Sequence, residues 1–167
     1  IAPNTVTCNA AISACEKGGQ WQPALDLLAA MPGLRASPDA VSCSAAISAC
    51  EQAGHWQLVL SLLASMRGLR ASPDTVVCNS AINVCAKAGH WQLALALLTE
   101  MPGLRLPPDI VSCNAAISAC ERGGLWQLAL AVLYSMPGVS IAPDVVTCSA
   151  AISACEKASQ WQFALLL

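Results

Sequence analysis

Residues 40–74 read AVSCSAAISACEQAGHWQLVLSLLASMRGLRASPD, and the chain returns to this wording at intervals of 35 residues. Trp-Gln recurs at Trp21-Gln22, Trp56-Gln57, Trp91-Gln92, Trp126-Gln127 and Trp161-Gln162. Pro3, Pro38, Pro73, Pro108 and Pro143 keep the same step with no insertion or deletion. A fixed period of this size is the signature of a stacked repeat array. With each unit begun just after a Pro-Asp step, the units are 5–39, 40–74, 75–109, 110–144 and a partial 145–167.

Each unit predicts two helices. In the stretch above, the Asp of the preceding Pro-Asp step is placed to cap a first helix over about Ala40–Gln52. Ala53-Gly54 ends it. A second helix runs from about His55 to Met66, followed by Gly68 and a short loop to Pro73. Elsewhere the second helix meets Met31-Pro32-Gly33, Met101-Pro102-Gly103 or Met136-Pro137-Gly138, where proline stops it. Two antiparallel helices per unit, joined by short loops, give an α-solenoid.

At about 100° per residue the first helix divides cleanly. Cys43, Ala46, Ile47 and Cys50 share the inward arc, and Val41, Ser44 and Ser48 share the opposite one. Small Ala45 and Ala49 lie to one side, where neighbouring first helices can approach closely. In the second helix Trp56, Val59, Leu60, Leu63 and Met66 form an apolar stripe, read as core. The outward arc is the unusual one. It carries an apolar row of Val6, Val41, Val76, Val111 and Val146. Three residues on comes Asn9, Ser44, Asn79, Asn114 or Ser149, a polar position that varies on a fixed scaffold. Cations follow at Lys17, Lys87, Arg122 and Lys157. Variation confined to Asn or Ser marks a candidate readout position; the plainer reading is a solvated polar residue.

Composition narrows the function. Hydrophobic residues make up 56% and charged residues 11%, which excludes a disordered chain. No apolar run reaches the roughly 18–20 residues a spanning helix needs, so the hydrophobicity is assigned to repeat interfaces rather than to a membrane. A net charge of −2 is not the footprint of a protein that grips nucleic acid by bulk charge. The ten cysteines occupy only two places in the unit: Cys8, Cys43, Cys78, Cys113 and Cys148, then Cys15, Cys50, Cys85, Cys120 and Cys155. Seven residues span about 10.5 Å of helix, and a disulfide needs Cα atoms within about 7 Å. Small buried thiols are the reading, not a disulfide framework, and no metal-ligand spacing is present. No Ser-His-Asp, metal or phosphate-loop constellation appears, so no catalytic residue and no cofactor is assigned and the chain is not read as an enzyme. His55 and His90 stand beside Trp where other units have Gln20, Leu125 and Gln160, and are read as solvated helix-start residues. Starting at Ile1 and stopping in mid-helix at Leu167, the chain is read as a fragment of a longer one.

Val6-Thr7-Cys8-Asn9, the run from Ala11 to Gly19, the run from Ala24 to Met31, and Pro38-Asp39 agree together in length, helix-end glycines, methionine and closing Pro-Asp. In these features the chain resembles the pentatricopeptide repeat family across all five units. The related tetratricopeptide repeat has 34 residues and a different aromatic pattern. The resemblance implies an all-α fold: an α-solenoid of five 35-residue helix-turn-helix repeats, the last truncated, forming a right-handed superhelix. It implies single-stranded RNA as the partner, one base per repeat. In that family the polar residue of the first helix works with the last residue of the same unit to read the base edge. Carried over, Asn9 works with Asp39, Ser44 with Asp74, Asn79 with Asp109, and Asn114 with Asp144, while Ser149 lacks its partner. Asn4 would close a preceding unit. Val6, Val41, Val76, Val111 and Val146 would sandwich bases, and Lys17, Lys87, Arg122 and Lys157 would meet phosphates. Asn with Asp favours uracil and Ser with Asp favours guanine in the family's code, which implies 5′-UGUU-3′ followed by a purine. The resemblance further implies a mitochondrial or plastid role in RNA processing, stability or translation, without a small-molecule substrate. The sequence departs from the family at Cys8 and its counterparts, where an aromatic is frequent. The alternative is a protein-binding helical-repeat scaffold in an assembly such as an organellar ribosome, which the acidic net charge favours. The Asn/Ser alternation beside Asp separates the two, because a peptide groove has no evident use for it.

Overall fold

The computed structural model describes residues 3–66 and 72–167. Gly68, expected to follow the second helix of its unit, lies outside the described residues. Among those residues the ordered elements are helices, without a strand. The first helices of successive units are α1 (Thr5–Lys17), α3 (Ala40–Gln52), α5 (Thr75–Lys87), α7 (Ile110–Arg122) and α9 (Val145–Lys157). The second helices are α2 (Trp21–Ala30), α4 (Trp56–Met66), α6 (Trp91–Glu100), α8 (Trp126–Ser135) and the short α10 (Trp161–Ala164). None of the described helices is long and apolar enough to cross a membrane.

Each first helix starts on a side-chain cap. Asp39 accepts from the Ser42 amide at 2.9 Å, and Asp109 and Asp144 accept from the Ser112 and Thr147 amides at 2.8 Å. Asn4 caps α1 in the same way through Thr7. In these four helices the hydroxyl of the third residue also accepts from the cap's own amide, closing a capping box. Before α5 the Val77 amide donates to Asp74 Oδ1 at 2.8 Å, but Val77 has no hydroxyl to return the bond. Such a cap contributes about 1 kcal/mol to its helix.

The turn between the two helices of a unit is equally regular. The amides of Gln20, His55, His90, Leu125 and Gln160 reach back to the carbonyls of Cys15, Cys50, Cys85, Cys120 and Cys155 at 2.8–3.0 Å. The residue before each of them has a positive φ: Gly19, Gly54, Gly89, Gly124 and, in the last unit, Ser159 at 58°. A glycine meets that requirement without steric penalty. The exit from the second helix is more structured than a proline stop alone. Met31–Leu34, Met101–Leu104 and Met136–Val139 each form one 3-10 turn with the proline in its first positions, where its missing N–H leaves no partner unserved. Arg35, Arg105 and Ser140 then take left-handed conformations and turn the chain toward the next Pro-Asp step.

The chain divides into two compact units, Ile1–Val84 and Cys85–Leu167. In the first, α1 packs on α2 and α3, and α3 packs on α2 and α4. Its interior holds Ile12, Met31, Ile47, Val59 and Met66, all fully buried. In the second, α7 packs on α6, α8 and α9, and α9 packs on α8 and α10. There Ile117, Cys120, Leu133, Met136 and Ala154 form one buried cluster. The alanines to one side of the outward arc, Ala45 and Ala49 in α3 and Ala115 and Ala119 in α7, are buried.

Two expectations about aromatic and imidazole groups need correction. Trp21, Trp56, Trp91 and Trp126 are half-buried and Trp161 is exposed, so the tryptophans border the core and do not fill it. His55 is not a solvated helix-start residue: its ring lies 4.2 Å from that of Trp21, tilted by 55°. A broad indole at the first residue of the second helix is covered from the next repeat, and His55 supplies that cover.

All ten cysteines are free thiols. Burial pushes Cys50 and Cys120 up to about 11 and raises Cys85 and Cys155. Cys43 and Cys113 are raised first by burial and then by the nearby Asp39 and Asp109 carboxylates. Cys15 and Cys148 are only half-buried. With an alkylating reagent near pH 8, mass spectrometry should therefore find Cys15 and Cys148 modified first in the native protein, and all ten after unfolding. Ile117→Ala removes a fully buried side chain and should cost about 2–5 kcal/mol, read as a lower urea midpoint by circular dichroism.

Candidate nucleic-acid interface

The outward arc of the first helices is a surface, not a core. Val6, Val41, Val76, Val111 and Val146 are between 55% and 73% exposed. Valine at such exposure gains little from folding, and each leaves apolar surface available to a partner. One helical turn on, Asn9, Ser44, Asn79 and Asn114 are half-buried and Ser149 is exposed. Spacing by three residues puts each of these on the same face as its valine.

Asn9 with Asp39 and Asn114 with Asp144 are joined directly. Asn9 Nδ2 donates to both oxygens of Asp39, at 3.1 and 3.2 Å, across 30 residues of chain. Asn114 Nδ2 donates to Asp144 Oδ1 at 3.5 Å. In both cases the carboxylate is the one that caps the following helix, so the cap and the pair share an anchor. The two amides differ at their other end. Asn9 Oδ1 is buried and meets no hydrogen-bond donor, whereas Asn114 Oδ1 accepts from Thr147 Oγ1 at 2.6 Å.

Ser44 and Asp74 are not hydrogen-bonded to one another. Ser44 Oγ donates back to the Ala40 carbonyl at 2.7 Å, the local bond a serine makes readily inside a helix. Both residues nevertheless line one open cavity of about 320 Å³, together with Val41, Ser13, Glu16 and Ser48. Asn79 is half-buried in α5, and Asp109 caps α7.

The expected phosphate contacts stand in different surroundings. Lys17, Lys87 and Arg122 end their helices exposed. Arg122 Nη1 donates to the Lys87 carbonyl at 3.5 Å. Lys157 is ion-paired with Glu121 at 2.9 Å. Such an exposed pair is worth about 0–1 kcal/mol and exchanges easily. Glu121 belongs to a row the sequence reading passed over: Glu16, Glu121 and Glu156 each stand one residue before a cation, Glu51 stands before Gln52, and Ala86 takes the place in the third unit. Asn83 donates to Glu51 where the other units carry Ser13, Ser48, Ser118 and Ser153. The same 35-residue lattice that exposed the lysines contained the glutamates.

The two joined carboxylates are held below their ordinary value of 3.8. Burial pushes Asp39 upward, but the Ser42 amide, the Asn9 amide, the Ser42 hydroxyl and the Val41 amide together outweigh it. For Asp144 the Thr147 amide and hydroxyl lead, burial opposes them, and Asn114 and the Val146 amide add to the lowering. A folded value below the unfolded one means that the stabilising contribution is complete above the unfolded value and is lost as pH falls through the folded one. Stability should therefore decline as pH drops below about 3.8, the ordinary value for both groups. Asn9→Ala should raise the Asp39 titration, and Asn114→Ala should raise that of Asp144 by less, because its amide lies farther off. Carboxyl-carbon NMR titration reads both; an Asp39 value unmoved by Asn9→Ala would show that the amide does not act on it.

Comparison with known proteins fits this architecture. The family model of the pentatricopeptide repeat domain matches residues 96–158, and that of the PPR repeat matches residues 6–35, 41–70 and 76–106. No curated protein matches the chain in sequence. Among solved structures, the pentatricopeptide repeat protein PPR10 in complex with an 18-nt psaJ RNA element is similar, with a TM-score of 0.83 and 28% identity over 99% of this chain and 24% of that one. PPR10 from maize gives 0.67 and 25% identity, over 95% of this chain and 28% of that one. The PPR domain of Arabidopsis thaliana protein-only RNase P 1, in complex with tRNA, shares the fold with a TM-score of 0.81 at 14% identity, over 98% of this chain and 91% of that one. The chain thus spans about a quarter of the length of PPR10. Its repeats, their helix-turn-helix units and the family models together establish that the chain belongs to the pentatricopeptide repeat family.

Proposed function

We propose that this chain binds single-stranded RNA with sequence preference, one base per repeat, and performs no chemistry itself. The observation that carries the reading is the amide-to-carboxylate pairing of Asn9 with Asp39 and of Asn114 with Asp144, one turn from exposed valines. A base laid against such a valine would present its edge to the paired amide, which offers both donor and acceptor. Around Ser44 and Asp74 the shorter serine leaves an open cavity of about 320 Å³, room for a purine. The likeness to PPR10 in complex with an RNA element supports the reading. The resulting preference is 5′-UGUU-3′ followed by a purine, with Val6, Val41, Val76, Val111 and Val146 flanking the bases. The setting proposed is RNA processing, stability or translation in a mitochondrion or plastid.

Affinity is expected to be modest. Stacking contributes about 1–3 kcal/mol per base before the strand's ordering is charged against it. Four phosphate contacts give a salt slope of about −0.7 × 4, or roughly −3. Lys157 begins in a pair with Glu121, and without it the slope falls to roughly −2. A protein-binding scaffold is the second reading, supported by the net charge of −2 and the glutamate row.

Fluorescence anisotropy at low salt with RNAs carrying UGUU, UUUU or AAAA tests the proposal. UGUU should bind best. Ser44→Asn should move the second-base preference from guanine toward uracil by on the order of tenfold, the scale of one unmade polar contact. Equal binding of all three RNAs by the unaltered chain would reject base reading, and the absence of any RNA binding would favour the scaffold.

A further inference from the structure

Thr147, a fully buried hydroxyl, touches both members of the preceding repeat's reading pair. We propose that it is a third, positioning member of that set, holding the Asn114 amide in one orientation and so sharpening uracil over cytosine at the base Asn114 reads. This rests on the RNA-reading function proposed above.

The argument begins with the amide. The two ends of an asparagine side chain are nearly alike in shape and opposite in hydrogen-bond character. Uracil presents an N3–H donor and an O4 acceptor; cytosine presents an N3 acceptor and an N4 amino donor. An amide that can turn over serves either pyrimidine. An amide fixed at both ends serves one. Asn114 is fixed at both: Nδ2 toward Asp144 Oδ1 at 3.5 Å, and Oδ1 under Thr147 Oγ1 at 2.6 Å. The single Thr147 proton is shared with Asp144 Oδ1 at 2.8 Å, so three side chains form one network. Turning the amide over would set its oxygen against the Asp144 carboxylate and leave the Thr147 proton to Asp144 Oδ1 alone.

The other units show that this arrangement is particular to Thr147. The corresponding hydroxyls of Ser42 and Ser112 donate to the carbonyls of their own caps, Asp39 and Asp109, at 2.9 and 2.8 Å. They accept from the cap amides at 2.8 Å, where Thr147 accepts at 3.2 Å. Thr147 keeps its own cap's carboxylate at 2.8 Å and also reaches the amide of the preceding repeat. Ser42 leaves Asn9 Oδ1 without a donor, so the first unit has the carboxylate alone to orient its amide. At the same step Val77 follows the Ser44–Asp74 pair, where there is no amide to orient. The chain thus contains a held asparagine and a less-held one, Asn114 and Asn9, as internal comparators.

The test uses the full 167-residue chain and RNAs carrying UGUU, CGUU or UGUC. In the unaltered protein, cytosine should be penalised more at the fourth base than at the first. Thr147→Val keeps the side chain's shape and removes its proton; Val77 at the equivalent step still caps through its amide, so a valine is accommodated there. It should lower the fourth-base uracil-to-cytosine ratio by about threefold or more, the scale of a lost neutral hydrogen bond, and leave the first-base ratio unchanged. A Thr147→Val protein with an unchanged fourth-base ratio, or with both ratios reduced together, overturns the proposal. A measurement without RNA separates this from failure of base reading. The Asn114 side-chain NH2 resonances should shift in Thr147→Val. If they do so while the unaltered protein shows no base preference, the RNA reading fails and the orienting contact stands. If they do not move in Thr147→Val, the orienting contact itself is refuted.

Discussion

A carboxylate at the start of a helix is held by the helix itself. Asp39 and Asp144 accept from backbone amides two or three residues on, and that bond fixes where the oxygens lie before any other side chain approaches. Asn9 and Asn114 then meet a group already in place. The cap gives the outer arc a fixed point, since its valines are exposed and its asparagines are half-buried. A cap placed one residue earlier or later would swing the carboxylate by about 100° around the helix and away from its amide. The unbroken 35-residue step keeps that register in every unit.

Beneath the arc, the fold rests on small residues at first-helix contacts and larger ones between the layers. Ala45, Ala49, Ala115 and Ala119 permit close approach, while Ile47, Met66, Ile117 and Met136 fill the space behind. Cysteine belongs with the alanines in this scheme. It is compact and apolar enough for the interior, and Cys50 and Cys120 stay protonated there.

Much of this was legible in the chain, because a repeat exposes its own rules. The Asp caps, the glycine turns, the buried Cys-Ala-Ile-Cys arc and the exposed valines all follow from local propensity and a period of 3.6, which five copies make hard to misread. What escaped the reading depends on contacts between repeats or on a choice among competing partners. His55 looks like a polar helix start until the Trp21 ring is set beside it. Lys157 looks like an available cation until Glu121, 36 residues earlier, is brought within 2.9 Å. The 3-10 turns after Met31, Met101 and Met136 are hidden because proline is equally at home ending one helix or beginning another. Within the candidate interface, Ser44 gives its proton to the Ala40 carbonyl of its own helix. No periodicity distinguishes Thr147 from Ser42, since both sit third in their helices; only the rotation of one hydroxyl does.

The shared anchor makes the two positions of each pair unequal under mutational drift. Exchanging Asn for Ser on the arc alters a half-buried side chain that caps no helix, so the fold scarcely registers it. Exchanging the Asp removes a helix cap as well, a loss of about 1 kcal/mol each time it happens. In this chain the first position alternates between Asn and Ser, while Asp39, Asp74, Asp109 and Asp144 are uniform. A lineage of such repeats would explore new partners mostly through the position that folding leaves free, and its accessible vocabulary would be set by helix capping as much as by the partner.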